Sequence, residues 1–149
     1  MNIKELAPFG GWVYVLETGS DNYRFKVGRT KNNPMRRVNS LRTADPYLAL
    51  RVGFYIPPTL PGKLSVWERS VHSFYESCRI EFIDESGEES EWFRGDPGQA
   101  ALDIECLFEV VTDDFQPNST KIWRAYEADI VAFYTPPPKL EDGIPWGAW

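Results

Sequence analysis

The sequence predicts a small α+β domain built on an antiparallel sheet, on the basis of three observations. Two runs of alternating apolar residues, 12–17 and 24–28, flank the polar segment TGSDNY, and this pattern predicts a β-hairpin. Residues 64–79 carry apolar side chains at three- and four-residue spacing, which predicts a helix. A third apolar run at 48–56 reads as a strand, so the order strand, strand, helix, strand, helix favours the α+β class.

Helix-start signals add two further helices. Asn33 followed by Pro34 is typical of an N-cap and first helical position, and the apolar residues at 35, 38 and 41 then face inward. Asp96 followed by Pro97 predicts a helix that runs to about residue 108.

The C-terminal third is predicted as a helical extension. Residues 89–93 read as a short strand or extended segment, and 120–133 as a last amphipathic helix that three prolines end. We therefore predict a domain at 1–95, a helical extension at 96–135 packed on the same domain, and a Pro- and Trp-containing tail at 136–149.

Composition excludes several classes of protein. The chain has 149 residues, of which 42% are hydrophobic, so it suits one domain with a sizeable core rather than a disordered chain. No apolar run is long enough to span a membrane, and the N-terminus lacks the apolar stretch of a secretory signal, so we expect a cytoplasmic protein without membrane partners. Cys78 and Cys106 form no CxxC motif, which is typical of two buried thiols in a reducing compartment and excludes a cysteine-rich zinc site.

The net charge of −6 is unevenly distributed. Residues 1–79 hold twelve Lys/Arg against six Asp/Glu, whereas residues 80–149 hold four against sixteen. The segment 22–44 contains seven basic residues and no acid, and a local basic face can track phosphates even on an acidic protein. Within this segment we expect nucleic-acid contacts from Arg29, Lys31, Arg37 and Arg42.

Six short motifs resemble one known superfamily. GWVYVL, KVGRT, the Met35-Arg36-Arg37 run, ADP at 44–46, Glu68 followed by His72, and EWF at 91–93 occur in order over residues 11–95. Together they resemble the GIY-YIG nuclease superfamily, and within it the phage T5 open-reading-frame-like, or meiotically-up-regulated-gene-like, branch. The resemblance implies a three-stranded antiparallel sheet flanked by helices, and hydrolysis of nucleic acid phosphodiesters with one divalent metal ion.

The resemblance assigns the hairpin residues to the site. Tyr14 holds the place of the superfamily's first motif tyrosine, a candidate general base, and Lys26 holds the place of the second. Strand alternation puts both side chains on one face of the sheet, and a pairing of Tyr14 opposite Lys26 would bring their tips together. Gly28 is expected where the substrate backbone approaches closely.

Arg36 follows Gly28 by the eight residues typical of the superfamily's catalytic arginine. A planar guanidinium can meet two oxygens of the charged phosphoryl group at once. Neighbouring helical residues point about 100° apart, so both arginines cannot face the scissile phosphate equally. We therefore expect Arg36 to stabilise the charge that develops on the phosphate, and Arg37 to bind the nucleic acid backbone.

Glu68 and His72 lie four residues apart, on the same face of the predicted helix. The resemblance makes Glu68 the ligand of a Mg²⁺ (or Mn²⁺) ion and His72 an additional active-site residue. Either Tyr14 or His72 is then the proton acceptor for the attacking water.

These assignments predict a Mg²⁺-dependent endonuclease whose substrate is nucleic acid, expected to be DNA. The alternative is a non-catalytic module of the same fold that binds nucleic acid or a protein partner through its basic N-terminal face or its acidic C-terminal third. That third also offers a surface for self-association or for a basic protein partner.

Overall fold

In the computed structural model, which describes residues 10–81, 90–118 and 120–135, a five-stranded antiparallel sheet carries four α-helices. The strands are β1 (Gly11–Thr18), β2 (Asp21–Thr30), β3 (Leu48–Ile56), β4 (Trp92–Arg94) and β5 (Trp123–Ala125). The helices are α1 (Pro34–Leu41), α2 (Leu64–Phe74), α3 (Pro97–Phe108) and α4 (Glu127–Tyr134).

The prediction of a three-stranded sheet is wrong. The strand order is β4-β2-β1-β3-β5, so the predicted hairpin and β3 form only the centre of the sheet. β4 pairs with β2, and β5 pairs with β3, each through three residues. These added strands cover part of each outer edge of the central three, which would otherwise present unpaired backbone groups.

The predicted helix at 120–133 is wrong in its first part. Trp123 and Ala125 lie opposite Tyr55 and Gly53 of β3, so this segment is extended, and α4 begins only at Glu127. The carboxylate of Asp129 accepts a hydrogen bond from the Tyr126 backbone N–H at 2.8 Å, which fixes the start of the helix. The predicted tail at 136–149 lies outside the described residues.

Both predicted N-caps are confirmed. Asn33 accepts a hydrogen bond from the backbone N–H of Met35 at the start of α1. Asp96 accepts one from Gln99 at the start of α3. The predicted helix at 64–79 is shorter than expected, because α2 ends at Phe74 and a 3₁₀ turn, Glu76–Cys78, follows it.

Each face of the sheet is covered by two helices. The core beneath α2 and α3 contains alternate residues of the central strands, namely Val13, Val15, Phe25, Val27, Val52 and Phe54. The core beneath α1 and α4 contains the intervening positions, among them Trp12, Tyr14, Leu16, Leu48 and Leu50. The strands therefore bury both faces, with successive side chains pointing to opposite cores.

Two further expectations can be compared with the structure. Cys78 and Cys106 are both exposed, so the prediction of buried thiols is wrong. Cys106 lies on the outer side of α3, away from the inward-facing Ile104 and Phe108, and Cys78 ends the 3₁₀ turn. Among the described residues, no helix has the length and apolar character needed to cross a membrane.

Candidate active site

The site lies at the edge of β2, just past the point where β4 stops pairing with it. β4 pairs with residues 24–26 only. At the next residue, the Val27 N–H donates to the backbone oxygen of Glu91 at 3.1 Å, and the Val27 carbonyl accepts from Nε2 of His72 at 3.0 Å. Side chains from both faces of the sheet can therefore meet around this short stretch of edge.

The Tyr14 ring lies across Gly28 of the neighbouring strand. The two residues are directly paired in the sheet, and a Cβ on Gly28 would lie 2.6 Å from the hydroxyl oxygen of Tyr14. Lys26 is paired with Leu16 instead, so the expected pairing of Tyr14 opposite Lys26 is wrong by two residues. Both side chains still share one face, because a two-residue offset preserves the strand alternation.

The Tyr14 phenol is a buried, neutral hydroxyl. Only 3% of the residue is exposed, and this burial raises the pKa of Tyr14 to about 12. A hydrogen bond and the positive charge from Arg37 oppose the rise, whereas the negative charges of Glu91 and Glu68 add to it. At neutral pH the hydroxyl can therefore donate a hydrogen bond, but it holds its own proton tightly.

The two neighbouring arginines of α1 point to different surroundings. Arg37 lies close enough to the Tyr14 hydroxyl for its positive charge to lower the pKa of Tyr14 against the larger effect of burial. Arg36 lies close enough to the Tyr134 hydroxyl to lower its pKa against the dominant upward effect of burial. Both arginines are exposed, while Met35 and Val38 anchor the helix on the sheet. The structure thus brings Arg37, rather than Arg36, to Tyr14.

Glu68 is the buried carboxylate of the site. Only 6% of the residue is exposed, and its Oε1 accepts a hydrogen bond from Nη1 of Arg29 at 2.7 Å. Arg29 follows Gly28 at the end of β2, so this ion pair joins the strand edge to α2. Burial of a carboxylate costs free energy unless such a partner compensates it, and the short charge-assisted bond does so.

Glu68 is the carboxylate of the cleft that could serve as a single protein ligand of a divalent metal ion. The Arg29 ion pair engages Oε1, so a cation would have to be held through the other carboxylate oxygen, Oε2. Within the described ranges, no three His, Cys, Asp or Glu side chains are grouped in a way that could hold a metal ion. One carboxylate combined with waters and phosphate oxygens suits Mg²⁺ or Mn²⁺, which accept such a ligand set.

His72 lies one helical turn after Glu68, against the edge of β2. A carbonyl oxygen can only accept, so Nε2 of His72 carries the proton in its contact with Val27. A neutral ring then has its lone pair on Nδ1. The ring also packs against Phe93, with centroids 5.3 Å apart, which restricts its orientation.

Lys26 of β2 and Glu91 form an ion pair next to this stretch of edge. Nζ of Lys26 lies 3.4 Å from Oε2 of Glu91, and the lysine is 8% exposed. Glu91 immediately precedes β4, so its position depends on the pairing of β4 with β2. This link between Lys26 and the EWF segment was not predicted.

A cleft of about 620 Å³ opens beside Glu68 and His72. Its other lining residues are Arg29, Ser65, Arg69, Ser73, Glu76 and Arg79. Tyr14 and Lys26 do not line it, and the Tyr14 ring belongs to the core on the other face of the sheet, beneath α1 and α4. Arg69 and Ser65 were missed in the sequence, although their spacing from Glu68 and His72 places them on the same side of α2.

Two predicted nucleic-acid contacts lie away from this cleft. Nε of Arg42 donates to the backbone oxygen of Leu48 at 2.8 Å, and its Nη2 lies 3.8 Å from Glu127. Arg42 therefore links α1 to β3 and α4. Lys31 is exposed in the turn between β2 and α1.

Comparison with known proteins yields one family. The model of the T5orf172 domain matches residues 11–108, which include β1–β4 and all of α3. No curated protein and no solved structure matches the chain. The matched segment covers well over half of the sequence, and it contains the buried tyrosine, the paired carboxylate and the histidine of the cleft. The chain belongs to the T5orf172 domain family.

Proposed function

We propose that the protein is a metal-dependent endonuclease that hydrolyses nucleic acid phosphodiesters, with DNA as the expected substrate. The observation that carries the proposal is the grouping of Tyr14, Arg37, Glu68 and His72 around the edge of β2 at residues 27–29. The T5orf172 match over residues 11–108 suggests a nuclease-like or phage-related domain, which supports the same reaction class.

Glu68 would hold the metal ion through Oε2. A bound Mg²⁺ or Mn²⁺ supplies charge stabilisation at the phosphate and at the leaving oxygen. The Arg29 guanidinium, now paired with Oε1, is 46% exposed in its side chain and can turn toward a phosphate oxygen in the cleft.

The proton of the attacking water goes to His72 in our proposal. With Nε2–H donated to the Val27 carbonyl, the neutral imidazole presents Nδ1 as its acceptor. Tyr14 is less suited to accept a proton, because burial raises its pKa to about 12. The tyrosine instead donates its hydroxyl proton in a hydrogen bond and positions the water or the phosphate.

Arg37 takes the role that the eight-residue spacing suggested for Arg36. The guanidinium carries its positive charge near the Tyr14 hydroxyl and is exposed, so it can meet the oxygens on which negative charge develops. Arg36, beside Tyr134, is better placed for a weaker contact with the nucleic acid backbone.

A nuclease assay tests the proposal directly. The purified chain is incubated with single- and double-stranded DNA and RNA in Mg²⁺, Mn²⁺ or EDTA, alongside Glu68→Gln. Glu76→Gln is the matched control, because Glu76 lines the same cleft but pairs with Arg79. We expect metal-dependent cleavage that Glu68→Gln abolishes and Glu76→Gln retains.

One observation favours a non-catalytic module as the second candidate. The Arg29–Glu68 ion pair neutralises the carboxylate that a metal ion would need. Binding of nucleic acid without cleavage in any metal ion would support this alternative and contradict the nuclease proposal.

A further inference from the structure

A small groove lies on the same face of the sheet as Tyr14. It is lined in part by Lys26, which lies between the groove and the edge of β2 at residues 27–29. Its volume is about 210 Å³, below the roughly 300–1,000 Å³ of ordinary small-molecule pockets. Lys26, Trp92, Leu41 and Leu48 are among the residues that line it. Because Lys26 precedes Gly28 by two strand residues, the groove begins about 6.6 Å from the site along β2.

The groove offers a stacking surface. The Arg24 guanidinium lies over the Trp92 ring, 5.0 Å from its centroid. In the described part of the chain Arg24 makes no ion pair, and its Nε has no hydrogen-bond partner. The indole is only partly buried. Planar indole and guanidinium groups are the surfaces on which unpaired nucleobases stack.

Asp45 is the one acid among the described residues that line the groove. Asp45 lies in the turn between α1 and β3, and its Oδ1 accepts a hydrogen bond from the Tyr47 N–H at 3.1 Å. Its Oδ2 is the oxygen that remains for a ligand. A carboxylate accepts hydrogen bonds from exocyclic amino groups, as from N4 of cytosine, and repels the carbonyl that thymine presents there.

We propose that this groove binds an unpaired nucleobase of the substrate strand next to the scissile phosphate. The base stacks on Trp92 and Arg24, and Asp45 favours a base with an exocyclic amino group. Arg24, which lacks a carboxylate partner, meets the adjoining phosphate. This inference rests on the proposed function for its substrate class, and it adds a preference for single-stranded or locally unpaired sites.

Equilibrium binding in EDTA separates this inference from cleavage. The probes are short, fluorescein-labelled oligothymidylates in which one central nucleotide is cytidine, thymidine or an abasic sugar. These probes carry equal phosphate charge, so differences in fluorescence anisotropy report the base alone. We expect the cytidine probe to bind more tightly than the thymidine probe, and the abasic probe to bind about tenfold more weakly than the cytidine probe.

Three variants assign the effect to the groove. Trp92→Leu should abolish the difference between cytidine and abasic probes, whereas Phe74→Leu, at an exposed aromatic outside the groove and the cleft, should retain it. Asp45→Asn preserves the turn and should remove only the preference for cytidine over thymidine. Asp45→Asn therefore still tests the groove if Trp92→Leu fails to fold.

The outcomes distinguish the two proposals. Equal binding of the cytidine and abasic probes by a wild-type protein that cleaves DNA in Mg²⁺ would overturn the groove assignment and leave the nuclease standing. Base-dependent binding without cleavage in any metal ion would support the groove and contradict the nuclease.

Discussion

The Tyr14 ring occupies the space that a side chain at Gly28 would fill, and this relationship links the strand register to the candidate site. Tyr14 is paired with a glycine on each neighbouring strand, Gly28 on β2 and Gly53 on β3. A Cβ on Gly28 would meet the phenol, whereas a Cβ on Gly53 would meet Ile130 and Trp12. The two glycines therefore offer a matched pair of substitutions.

Gly28→Ala should lower the cleavage rate far more than Gly53→Ala. The added methyl group in Gly28→Ala must displace the Tyr14 hydroxyl, and a misplacement of about 1 Å can cost about a hundredfold in rate. Both variants introduce overpacking, which typically costs about 1–3 kcal/mol in the free energy of unfolding. Urea denaturation and single-turnover cleavage measure the two effects. Similar rates for both variants at equal stability would contradict the role of Tyr14.

Arg37→Ala should slow the chemical step more than Arg36→Ala. Loss of one donor to the developing charge costs about a hundredfold in rate, and Arg37 is the arginine whose charge acts on the Tyr14 hydroxyl. Arg36→Ala should mainly weaken binding and reduce its dependence on salt concentration. Single-turnover cleavage rates at saturating protein test this assignment. A larger loss of rate in Arg36→Ala than in Arg37→Ala would show that Arg36 is the catalytic arginine, as the eight-residue spacing predicts.

Arg29→Gln should raise the affinity for metal ions. The Arg29 guanidinium lies 2.7 Å from Oε1 of Glu68 and competes with a cation for the same carboxylate. For a partly exposed ion pair the effect is about 1 kcal/mol, or roughly fivefold in the Mn²⁺ dissociation constant measured by titration calorimetry. Lys31→Gln removes one positive charge from the neighbouring turn and is the control. An equal gain in Mn²⁺ affinity in both variants would show that the loss of any nearby positive charge has this effect, and that Arg29 does not compete specifically for Glu68.

Tyr14→Phe should make the protein less sensitive to alkaline denaturation. The pKa of Tyr14 is 10.0 in the unfolded chain and about 12 in the folded protein, because of burial. The folded state therefore holds the proton more tightly. The free energy of unfolding is unaffected by this group below about pH 10 and falls as the pH rises from 10 to 12.

Urea denaturation at several pH values between 8 and 12 measures that slope. Burial also raises the pKa of Tyr55, Tyr75 and Tyr134, so Tyr14→Phe should flatten the fall without abolishing it. An unchanged slope would show that the Tyr14 hydroxyl is not buried in solution. Cleavage between pH 6 and 9 should show no inflection from Tyr14.

Ile130→Ala should destabilise the protein by about 2–4 kcal/mol, because Ile130 is the fully buried residue through which α4 packs on the sheet. Val131→Ala is the control, since Val131 is 48% exposed and should cost about 0.5 kcal/mol or less. Thermal and urea denaturation of both variants check the prediction. Equal, small losses would mean that α4 contributes little to the stability of the sheet.

The sequence could predict the centre of the fold but not its edges. The hairpin, β3 and α2 have long runs of periodic apolar residues. Asn33 and Asp96 mark the starts of α1 and α3, because their side chains accept backbone hydrogen bonds as N-caps. β4 and β5 have three residues each, too few for a period to appear. Trp123–Ala125 is extended because it pairs with β3, about 70 residues earlier, and no local pattern records that partner.

The parts of the candidate site that depend on helical spacing alone could be predicted from the sequence. Four-residue spacing places Glu68 and His72 on one side of α2, and both line the cleft. The orientation of Arg36 and Arg37 was not accessible, because they lie on opposite sides of the buried Met35 and Val38, and only the docking of α1 decides which of them faces β2. The Lys26–Glu91 and Arg29–Glu68 ion pairs depend equally on tertiary packing.

The pairing of β5 with β3 has a consequence for synthesis on the ribosome. A chain emerges N-terminal end first, so β3 is available long before residues 123–125 leave the exit tunnel. Until then one edge of an apolar strand, with Phe54 and Tyr55, stays open to pairing with other chains. The nascent protein therefore passes through a stage in which the residues of the cleft are already translated but this edge of the sheet is unprotected, and that interval is when a chaperone would matter most.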